Sequence, residues 1–277
     1  MSVRITVLCD NSVGPVSGTL GEHGFAALIE RKEAEPILFD TGQGFTLLHN
    51  AARMRKDLSR VDKVVISHGH HDHTGGLMPL LQQFGGREIF AHEAVFGSRH
   101  RIKDTGECYP IGIPFEQSAY EEAGATFNLA NSFREISPGI MLTGEVPRVT
   151  RFETGDRGIF SDCTGQELDA TPDDQSLVIE TAKGLVVLLG CCHAGLANTI
   201  EHIAYQNGRR DIYAMIGGTH LGFCGQEQLE RTVDVVRKAG IRKLAVSHCT
   251  GFAAAARLSR ELPKEFQMAM VGYTLEI

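Results

Sequence analysis

Short apolar runs of strand length alternate along the chain with longer segments whose apolar residues recur at helical spacing. In the amino-terminal part, strands separated by polar and Gly-rich turns are predicted at "RITVLCD", "FAALIERK" and "PILFDTG". Helices are predicted at "GFTLLHNAARMRKDL" and at "TGGLMPLLQQF", for which Thr74 is a suitable N-cap. Between them "VDKVVIS" predicts a buried strand, and "REIFAHEAVF" then predicts a strand followed by a helix.

The carboxy-terminal part repeats a rhythm of strand, polar cluster and helix. Strand pairs are predicted at "FREISPGIMLTGEVPR" and "SLVIETAKGLVVLLG", and single strands at "DIYAMIGG" and "KLAVSH". Helices are predicted at "AGLANTIEHIAYQ" and at "QEQLERTVDVVRKAG", where Gly240 is a suitable C-cap. A further helix and a terminal strand complete the chain.

One region departs from this regular pattern. Residues 98–132 carry Gly, Pro and aromatic residues with weak periodicity, and the later segment up to about residue 175 is polar and glycine-rich. We therefore predict a single domain over residues 1–277 with an irregular insertion at about 98–175, which is a candidate lid.

Four of the apolar runs end in histidine, and a glycine follows each of these histidines within three residues. The four are His68, His193, His220 and His248. Glycine at such positions lets the backbone turn sharply and lets a ligand approach closely. If the strands share a sheet, their ends converge on one patch, and sites in sheet proteins gather at such ends.

The segment "VVISHGHHDHTGG" concentrates four histidines and one aspartate. His68 and His70 are two residues apart and can point the same way from an extended backbone, whereas Asp72 and His73 are adjacent at the entry to a helix. Imidazole and carboxylate ligands together suit zinc, iron or manganese. The pattern predicts two divalent metal ions, each of which takes a third protein ligand from a distant strand end.

The motif His68-x-His70-x-Asp72-His73 after an apolar strand resembles the signature of the metallo-β-lactamase fold superfamily. The segment "FDTG" around Asp40 is similar to the first motif of that superfamily, and "GCCHAG", "GGTHL" and "SHCTG" are similar to a narrower branch of metal-dependent hydrolases. That branch includes the synthase of methanopterin biosynthesis that joins a dihydropterin to ribofuranosylaminobenzene phosphate. The resemblance spans nearly the whole chain and implies a four-layer αββα sandwich with a dinuclear metal site at one edge.

The resemblance also implies roles for individual residues. The first metal ion would be held by His68, His70 and a third histidine, and the second by Asp72, His73 and a late histidine, best matched by His248. Asp72 would also be the catalytic residue that steers a metal-bound hydroxide. Asp40 would support the loop that carries His68, His70, Asp72 and His73, called here the metal loop, without itself binding a metal.

Two positions depart from the pattern of the superfamily. Many members have a bridging aspartate after a strand as Gly-Asp, whereas this chain has Gly190-Cys191. Many members also have a metal histidine before a "T-P-G" turn, and here "TGEVPR" has Glu145 in its place. For this reason we expect His193 to supply the missing ligand of the first metal.

Other polar residues keep more than one interpretation. His220 is a candidate for substrate contact, for metal ligation or for packing. Arg148 and Arg151 either clamp a phosphate or carboxylate of the substrate or lie on the surface. Glu145 is a candidate ligand or base that we expect to be a surface acid, and His23 stays ambiguous.

The remaining residues near the motif are expected to have no part in metal binding. His71 holds the variable position of the motif, so we expect its side chain to point away from the metals. Cys191, Cys192 and Cys249 flank the metal candidates, and we expect them to be buried small hydrophobic residues rather than thiolate ligands.

Composition narrows the classes of partner. The net charge of −7, from 27 basic and 34 acidic residues, argues against a nucleic-acid partner. The chain has no apolar run of about 18 residues, so no membrane span is expected. Its seven cysteines are odd in number and form no C-x-x-C pair, which predicts reduced thiols in a cytoplasm rather than a disulfide framework.

The expected function is that of a cytoplasmic metal-dependent hydrolase. Two divalent ions, zinc or alternatively iron or manganese, would activate a water that attacks a small anionic substrate. Two alternatives stay open: a group transferase acting on a pterin diphosphate, and a metal-binding protein without catalysis. The expected partner is a small molecule, and a homo-oligomer is left open.

Overall fold

The computed structural model describes residues 2–32, 34–156 and 158–277. The strands are β1 (Val3–Cys9), β2 (Ala26–Arg31), β3 (Ile37–Phe39), β4 (Lys63–Val65), β5 (Arg87–Ala91), β6 (His100–Ile102), β7 (Cys108–Pro110), β8 (Ala125–Leu129), β9 (Arg134–Ser137), β10 (Ile140–Leu142), β11 (Ile159–Phe160), β12 (Leu177–Thr181), β13 (Gly184–Leu189), β14 (Ile212–Gly218), β15 (Lys243–Ser247), β16 (Phe266–Met268) and β17 (Thr274–Glu276). The helices are α1 (Leu47–Arg53), α2 (His71–Thr74), α3 (Leu77–Phe84), α4 (Gln117–Glu122), α5 (Leu196–Asn207), α6 (Gln226–Ala239) and α7 (Gly251–Glu261). Among the described residues, no helix is long and apolar enough to cross a membrane.

Two seven-stranded mixed sheets form the centre of the fold. The first has the order β17-β1-β2-β3-β4-β5-β8 and the second the order β16-β15-β14-β13-β12-β10-β9. Strands β3, β4, β5 and β8 are parallel in the first sheet, and β13, β14, β15 and β16 are parallel in the second. Each parallel half therefore gathers several carboxyl ends of strands at one edge of its sheet.

Alternation along the strands explains why the sheets are covered on both faces. In β2, Ala27 and Ile29 belong to the core between the two sheets, while Ala26 and Leu28 pack under α1 and α3. In β13, Val186 and Leu188 face the central core, and the intervening residues pack against α5, α6 and α7. Because successive side chains of a strand point to opposite faces, this pattern builds four layers. The predicted α/β class and αββα sandwich are confirmed.

Two local predictions were wrong. Thr74 does not cap α3: its hydroxyl donates to the carbonyl of His70 within α2, and Gly76 precedes α3 without a side-chain cap. The segment after β5 forms turns rather than a helix. Both segments form short turns instead: Thr74 bonds to the carbonyl of His70, and the amides of Val95 and Gly97 bond to the carbonyls of His92 and Ala94. By contrast, α6 ends at Gly240 in the left-handed conformation, as predicted.

The region 98–175 contains more regular structure than the sequence predicts. It includes α4 and β8, which were not predicted, and β8 extends the first sheet. The strand pair predicted at "FREISPGIMLTGEVPR" is present as β9 and β10, which extend the second sheet. The remaining part forms a small sheet of order β11-β6-β7, called here the insertion sheet. Weak periodicity is the reason for the miss, because β8 lies at a sheet edge and most of its side chains are only half-buried.

A disulfide joins Cys108 of β7 to Cys163 in the turn after β11. This finding corrects the expectation that all seven cysteines are reduced thiols. The other five are free, as expected: Cys9, Cys191, Cys192, Cys224 and Cys249. The two bonded cysteines are 55 residues apart in sequence and share no motif, so spacing gave no signal for the pair.

Candidate metal centre

The polar residues of the candidate metal centre follow strands whose carboxyl ends lie at one edge of the sandwich. In the first sheet, Asp10, Asp40 and the loop of His68 follow β1, β3 and β4. In the second sheet, His193, His220 and His248 follow β13, β14 and β15. Because these strands run in one direction within each sheet, the sequence brings six separate segments to the same edge.

Three histidines form what we call the first triad: His68, His70 and His193. Nε2 of His68 lies 2.9 Å from Nδ1 of His70. The ring of His193 lies 4.9 Å from that of His68 and 5.0 Å from that of His70. One ring nitrogen of each histidine lies within 4.8 Å of the others. The structure thus brings together the three residues predicted for one metal ion, although His193 is far from the other two in sequence.

The second triad is Asp72, His73 and His248. Nε2 of His73 lies 3.3 Å from Nε2 of His248, and Oδ2 of Asp72 lies 3.3 Å from the same His248 atom. Asp72 Oδ2 and His73 Nε2 are 3.9 Å apart. All three residues are buried. These distances place the three predicted ligands of a second ion beside one another.

The pKa values in the first triad favour neutral imidazoles. Burial lowers the pKa of His70 from 6.5 to about 3, and burial together with neighbouring histidines lowers the pKa of His68 and of His193 well below the usual range. Neutral rings keep a free lone pair, which is the form of histidine that binds a metal ion.

The second triad carries charge. Burial raises the pKa of Asp72, but His73, His23 and His248 lower it more, and the result lies well below the usual range. Burial lowers the pKa of His73, whereas Asp40 and Asp72 raise it to about 9. The carboxylate of Asp72 is therefore ionised at neutral pH and offers a negatively charged oxygen to a cation.

Asp40, to which the resemblance assigns the bracing of the metal loop, contacts two residues of that loop. Its Oδ1 accepts a hydrogen bond from the backbone amide of Ser67 at 2.7 Å, and its Oδ2 accepts one from the hydroxyl of Ser67 at 2.7 Å. Oδ2 also lies 2.7 Å from Nδ1 of His73. A carboxylate behind a ligand histidine fixes the tautomer that leaves Nε2 free for a metal. Asp40 is fully buried and has a φ of 57°, an uncommon conformation for a residue other than glycine.

His248 is positioned by two residues that were not predicted to belong to the site. Asp10 accepts a hydrogen bond from the backbone amide of His248 at 2.6 Å, and Oδ1 of Asn11 lies 2.8 Å from Nδ1 of the ring. Both residues follow β1. A polar residue directly after a strand, as at Asp40, is the sequence feature that could have identified them.

A buried ion pair between Asp173 and Arg99 also supports the metal loop. Oδ2 of Asp173 accepts a hydrogen bond from the backbone amide of Gly69 at 2.7 Å, and its Oδ1 accepts one from Arg99 at 2.7 Å. A side chain at position 69 would collide with the carbonyl of Val95 and with Arg99. Gly69 is therefore required by the close approach of these groups.

Two further residues stand beside the predicted ligands. Nε2 of His23 lies 3.1 Å from Oδ2 of Asp72, which brings this ambiguous histidine into the centre. Sγ of Cys191 lies 3.2 Å from Nε2 of His73. Cys192 and Cys249 are buried, as expected.

The two predicted arginines lie outside the centre. Arg148 donates to the carbonyls of His193 and Ala170 at 2.5 and 2.6 Å, so it supports the loop of a candidate ligand. Arg151 is exposed and is absent from the lining of the cleft at the metal centre. Glu145 is exposed as well. His71 lies 3.0 Å from the amide of Gln43 and 3.2 Å from the carbonyl of Ile111, and none of these groups belongs to either triad.

A cleft of about 440 Å³ opens in front of both triads. Its opposite wall comes from the insertion and consists of Arg101, Tyr109, Ile111, Asp156 and Ile159. His220 lies at the junction of the two walls, with its ring 4.2 Å from that of His193 and its Nε2 3.4 Å from Oδ2 of Asp156. Its φ of 53° is another uncommon conformation, and such residues concentrate at functional sites.

The residues of the centre fit divalent metal ions. Both ring nitrogens of His193 and Nε2 of His70 are buried and have no hydrogen-bond partner. Burying such groups without a partner costs free energy, and a metal ion is a partner that satisfies them. A donor set of imidazoles with one carboxylate suits zinc, iron or manganese.

Comparison with known proteins gives matches over most or all of the chain. The family model described as "Metallo-beta-lactamase superfamily" matches residues 20–191. The chain is 27% identical to 7,8-dihydropterin-6-methyl-4-(beta-D-ribofuranosyl)-aminobenzene-5'-phosphate synthase of Methanocaldococcus jannaschii, over 98% of this chain and 95% of that protein. The crystal structure of Tm1679, a metal-dependent hydrolase of the β-lactamase superfamily, is 28% identical and has a TM-score of 0.85 over 99% of both chains. Zn²⁺-bound PqqB from Methylobacterium extorquens shares the fold, with a TM-score of 0.58 and 13% identity over the whole of both chains.

Proposed function

The chain belongs to the metallo-beta-lactamase superfamily, and from this premise we propose that it is a metal-dependent hydrolase with two divalent ions and a small anionic substrate. The observation that carries the proposal is the juxtaposition of the two triads, each of three donor groups, at the floor of one cleft. Zinc is the proposed ion, with iron and manganese as alternatives.

The residues would divide the chemistry between them. Ions held by the two triads would supply an activated water and polarise a substrate oxygen. Asp72 is the proposed catalytic residue, because its ionised carboxylate lines the cleft and can accept a hydrogen bond from the attacking water. Asp40 keeps His73 in the orientation that presents Nε2 to the centre.

The anionic part of the substrate would bind opposite the triads. Burial lowers the pKa of His220, but hydrogen bonding to Asp156 and the nearby Cys249 raise it to about 9, so its ring is a cation at neutral pH. Nη1 of Arg101 lies 2.6 Å from the same Asp156. Two basic side chains thus meet at one carboxylate beside the cleft, where they could bind a phosphate or carboxylate of the substrate.

Assignment of the reaction needs an assay that follows the oxygen of water. Phosphodiesters, lactones and thioesters would be incubated with the zinc-loaded protein in ¹⁸O-labelled water. Incorporation of ¹⁸O into the product, lost in Asp72→Asn, is the expected result. Turnover without incorporation would reject hydrolysis.

One observation favours group transfer as a second candidate. The similarity to the M. jannaschii synthase extends over almost the whole of both chains, so it includes the insertion as well as the metal loop. In that case the cleft would bind a pterin diphosphate and an aminobenzene riboside phosphate, and diphosphate would be released without incorporation of ¹⁸O. Incubation of both compounds with the loaded protein, and measurement of diphosphate, separates this candidate from hydrolysis.

A metal-binding protein without catalysis is the remaining alternative. Such a protein would bind both metal ions. It would convert neither the candidate hydrolase substrates nor the pterin diphosphate and aminobenzene riboside phosphate. A cytoplasmic location also stays a proposal: the five free cysteines favour it, whereas the Cys108–Cys163 disulfide is typical of an oxidising compartment.

A further inference from the structure

Residues 173–175, which precede β12, contact both of the loops that carry the first triad, and we call them the bridging segment. Asp173, Asp174 and Gln175 are all buried. Among the described residues, the clusters whose donor atoms lie within 4.8 Å of one another include neither of these two aspartates. Burying polar groups costs free energy unless they are hydrogen-bonded, so the partners of the segment indicate its role.

The bridging segment binds the metal loop through three hydrogen bonds. Oδ2 of Asp173 accepts one from the backbone amide of Gly69 at 2.7 Å. The backbone amide of Gln175 donates to the carbonyl of Ser67 at 3.0 Å, and its side-chain amide donates to the carbonyl of Ile66 at 2.9 Å. The segment therefore holds the backbone from which two histidines of the first triad project.

The bridging segment also binds the loop of the third histidine. Oδ2 of Asp174 accepts a hydrogen bond from the backbone amide of Ala194 at 3.0 Å. Ala194 directly follows His193. The adjacent carboxylates of Asp173 and Asp174 thus hold backbone amides of two loops that are far apart in the sequence.

The second triad has separate supports. Asp40 contacts the ring of His73, and Asp10 accepts a hydrogen bond from the backbone amide of His248. Among the hydrogen bonds of the described residues, none joins Asp174 to a member of the second triad. A change at Asp174 is therefore expected to affect the first triad selectively.

We propose that Asp173 and Asp174 are positioning residues that hold the two loops of the first triad in the ligating arrangement before a metal ion binds. The proposal rests on the proposed metal centre and deepens it. Groups that fix a site in advance reduce the conformational freedom that is lost when the ion binds. Partners behind the ligands typically contribute about 10- to 100-fold to metal affinity.

Zinc affinity of each triad alone tests the proposal. Only the first triad is complete in the His248→Ala background, and only the second in the His193→Ala background. By competition with a chelator, Asp174→Ala should weaken zinc binding about 10- to 100-fold in the first background and leave it nearly unchanged in the second. Equal affinity with and without Asp174→Ala in the first background would overturn the proposal, as would an equal loss in both.

A conservative variant separates positioning from the mere presence of a charge. Asp174→Asn keeps an oxygen that can accept the hydrogen bond from the amide of Ala194. In the His248→Ala background it should therefore restore most of the zinc affinity that Asp174→Ala loses. An Asn variant as weak as the Ala variant would contradict a role that acts through this hydrogen bond.

Glu153→Gln is a matched control. Glu153 is another buried acid, and it accepts hydrogen bonds from the backbone amides of Ala197 and Asn198 at 2.7 and 2.8 Å, within α5 rather than within a loop of either triad. This variant should keep the zinc affinity of its background. A loss as large as that in Asp174→Ala would reject a specific role of the bridging segment.

Amide hydrogen exchange of the metal-free wild-type protein needs no variant, so it decides the matter even if Asp174→Ala does not fold. The amides of Gly69 and Ala194 are expected to exchange slowly without metal, because a buried carboxylate accepts each of them. Fast exchange of both amides before zinc is added, and slow exchange afterwards, would mean that the ion orders the loops and would overturn the proposal.

Failure of the proposed metal centre gives a different result. Wild-type protein that retains no zinc would reject the centre itself. Zinc that binds the His248→Ala protein equally well with and without Asp174→Ala would reject the positioning role alone and leave the metal centre intact.

Discussion

Oδ2 of Asp40 lies 2.7 Å from Nδ1 of His73, and the same carboxylate accepts two hydrogen bonds from Ser67. One buried side chain after β3 therefore fixes both the start of the metal loop and the ring orientation of a candidate ligand. The relationship connects the end of one strand with the loop after the neighbouring strand, so the sheet itself sets the geometry of the centre.

Replacement of Asp40 by Asn is expected to weaken zinc binding by about 10- to 100-fold, because an amide can present a donor to His73 and disturb its tautomer. The dissociation constant, measured by competition with a chelator, checks this expectation. Asp57→Asn is a matched control, since Asp57 is exposed and caps a surface turn. Equal zinc affinity in wild-type protein and Asp40→Asn would contradict the role given to Asp40.

Alanine substitutions at the neighbouring residues His70 and His71 are expected to affect the metal content differently. His70→Ala removes a member of the first triad and should reduce bound zinc by about one ion per chain. His71→Ala should keep the metal content of the wild type, because its ring contacts Gln43 and Ile111. Metal analysis of the two purified variants provides the comparison. Loss of zinc from His71→Ala alone would mean that the loop binds metal in a different register.

Stability of the metal-free protein is expected to fall as the pH falls below 6.5. Burial lowers the pKa of His70 to about 3 and lowers those of His68 and His193 as well. In this pH range the unfolded chain binds more protons at these positions than the folded protein does, so stability rises with pH. Each histidine contributes up to about 1.4 kcal/mol per pH unit.

Urea unfolding at pH 7, 6 and 5 measures this effect, and His70→Gln should flatten the dependence because it removes one of the three groups. A variant whose dependence is as steep as that of the wild type would show that His70 does not titrate in this way.

Arg101 is expected to contribute binding of an anionic substrate rather than chemistry. Arg101→Ala should raise KM for a phosphate- or carboxylate-containing substrate by about 10- to 100-fold, in line with the loss of a charged hydrogen bond, and leave kcat for the same substrate nearly unchanged. A neutral lactone should show little change. Arg151→Ala serves as control, because this exposed arginine does not line the cleft. The opposite pattern, with a larger effect at Arg151, would return the anion site to the arginine predicted from the sequence.

The sequence contained enough information for the layers and for the two triads. Short apolar runs predicted the large strands, and histidines at strand ends predicted which distant segments meet. The features of the site that could not be predicted from the sequence depend on tertiary contacts. His23 lies in a turn before β2, and nothing in its neighbourhood marks its 3.1 Å approach to Asp72. The sequence predicts Cys191 and Cys192 alike as buried residues, and only the three-dimensional arrangement shows that Cys191 lines the cleft whereas Cys192 packs in the core.

The positions of Arg148 and Arg151 relative to the cleft also depend on tertiary contacts. Arg148 and Arg151 follow a turn that resembles a family motif, but Arg148 holds the main chain of His193. Arg101 stands on a weakly patterned strand of the insertion, whose position over the cleft depends on pairing with β7 and β11. The local sequence pattern contains no information about the pairing of these strands.

Metal content of the purified protein is the most direct test of the central claim. The wild type, loaded with zinc and freed of excess metal, is expected to retain two ions per chain. His68→Ala and His193→Ala should each lose at least one of them, while both variants keep the circular dichroism spectrum of the folded protein. Substoichiometric metal that both variants leave unchanged would contradict the proposed centre.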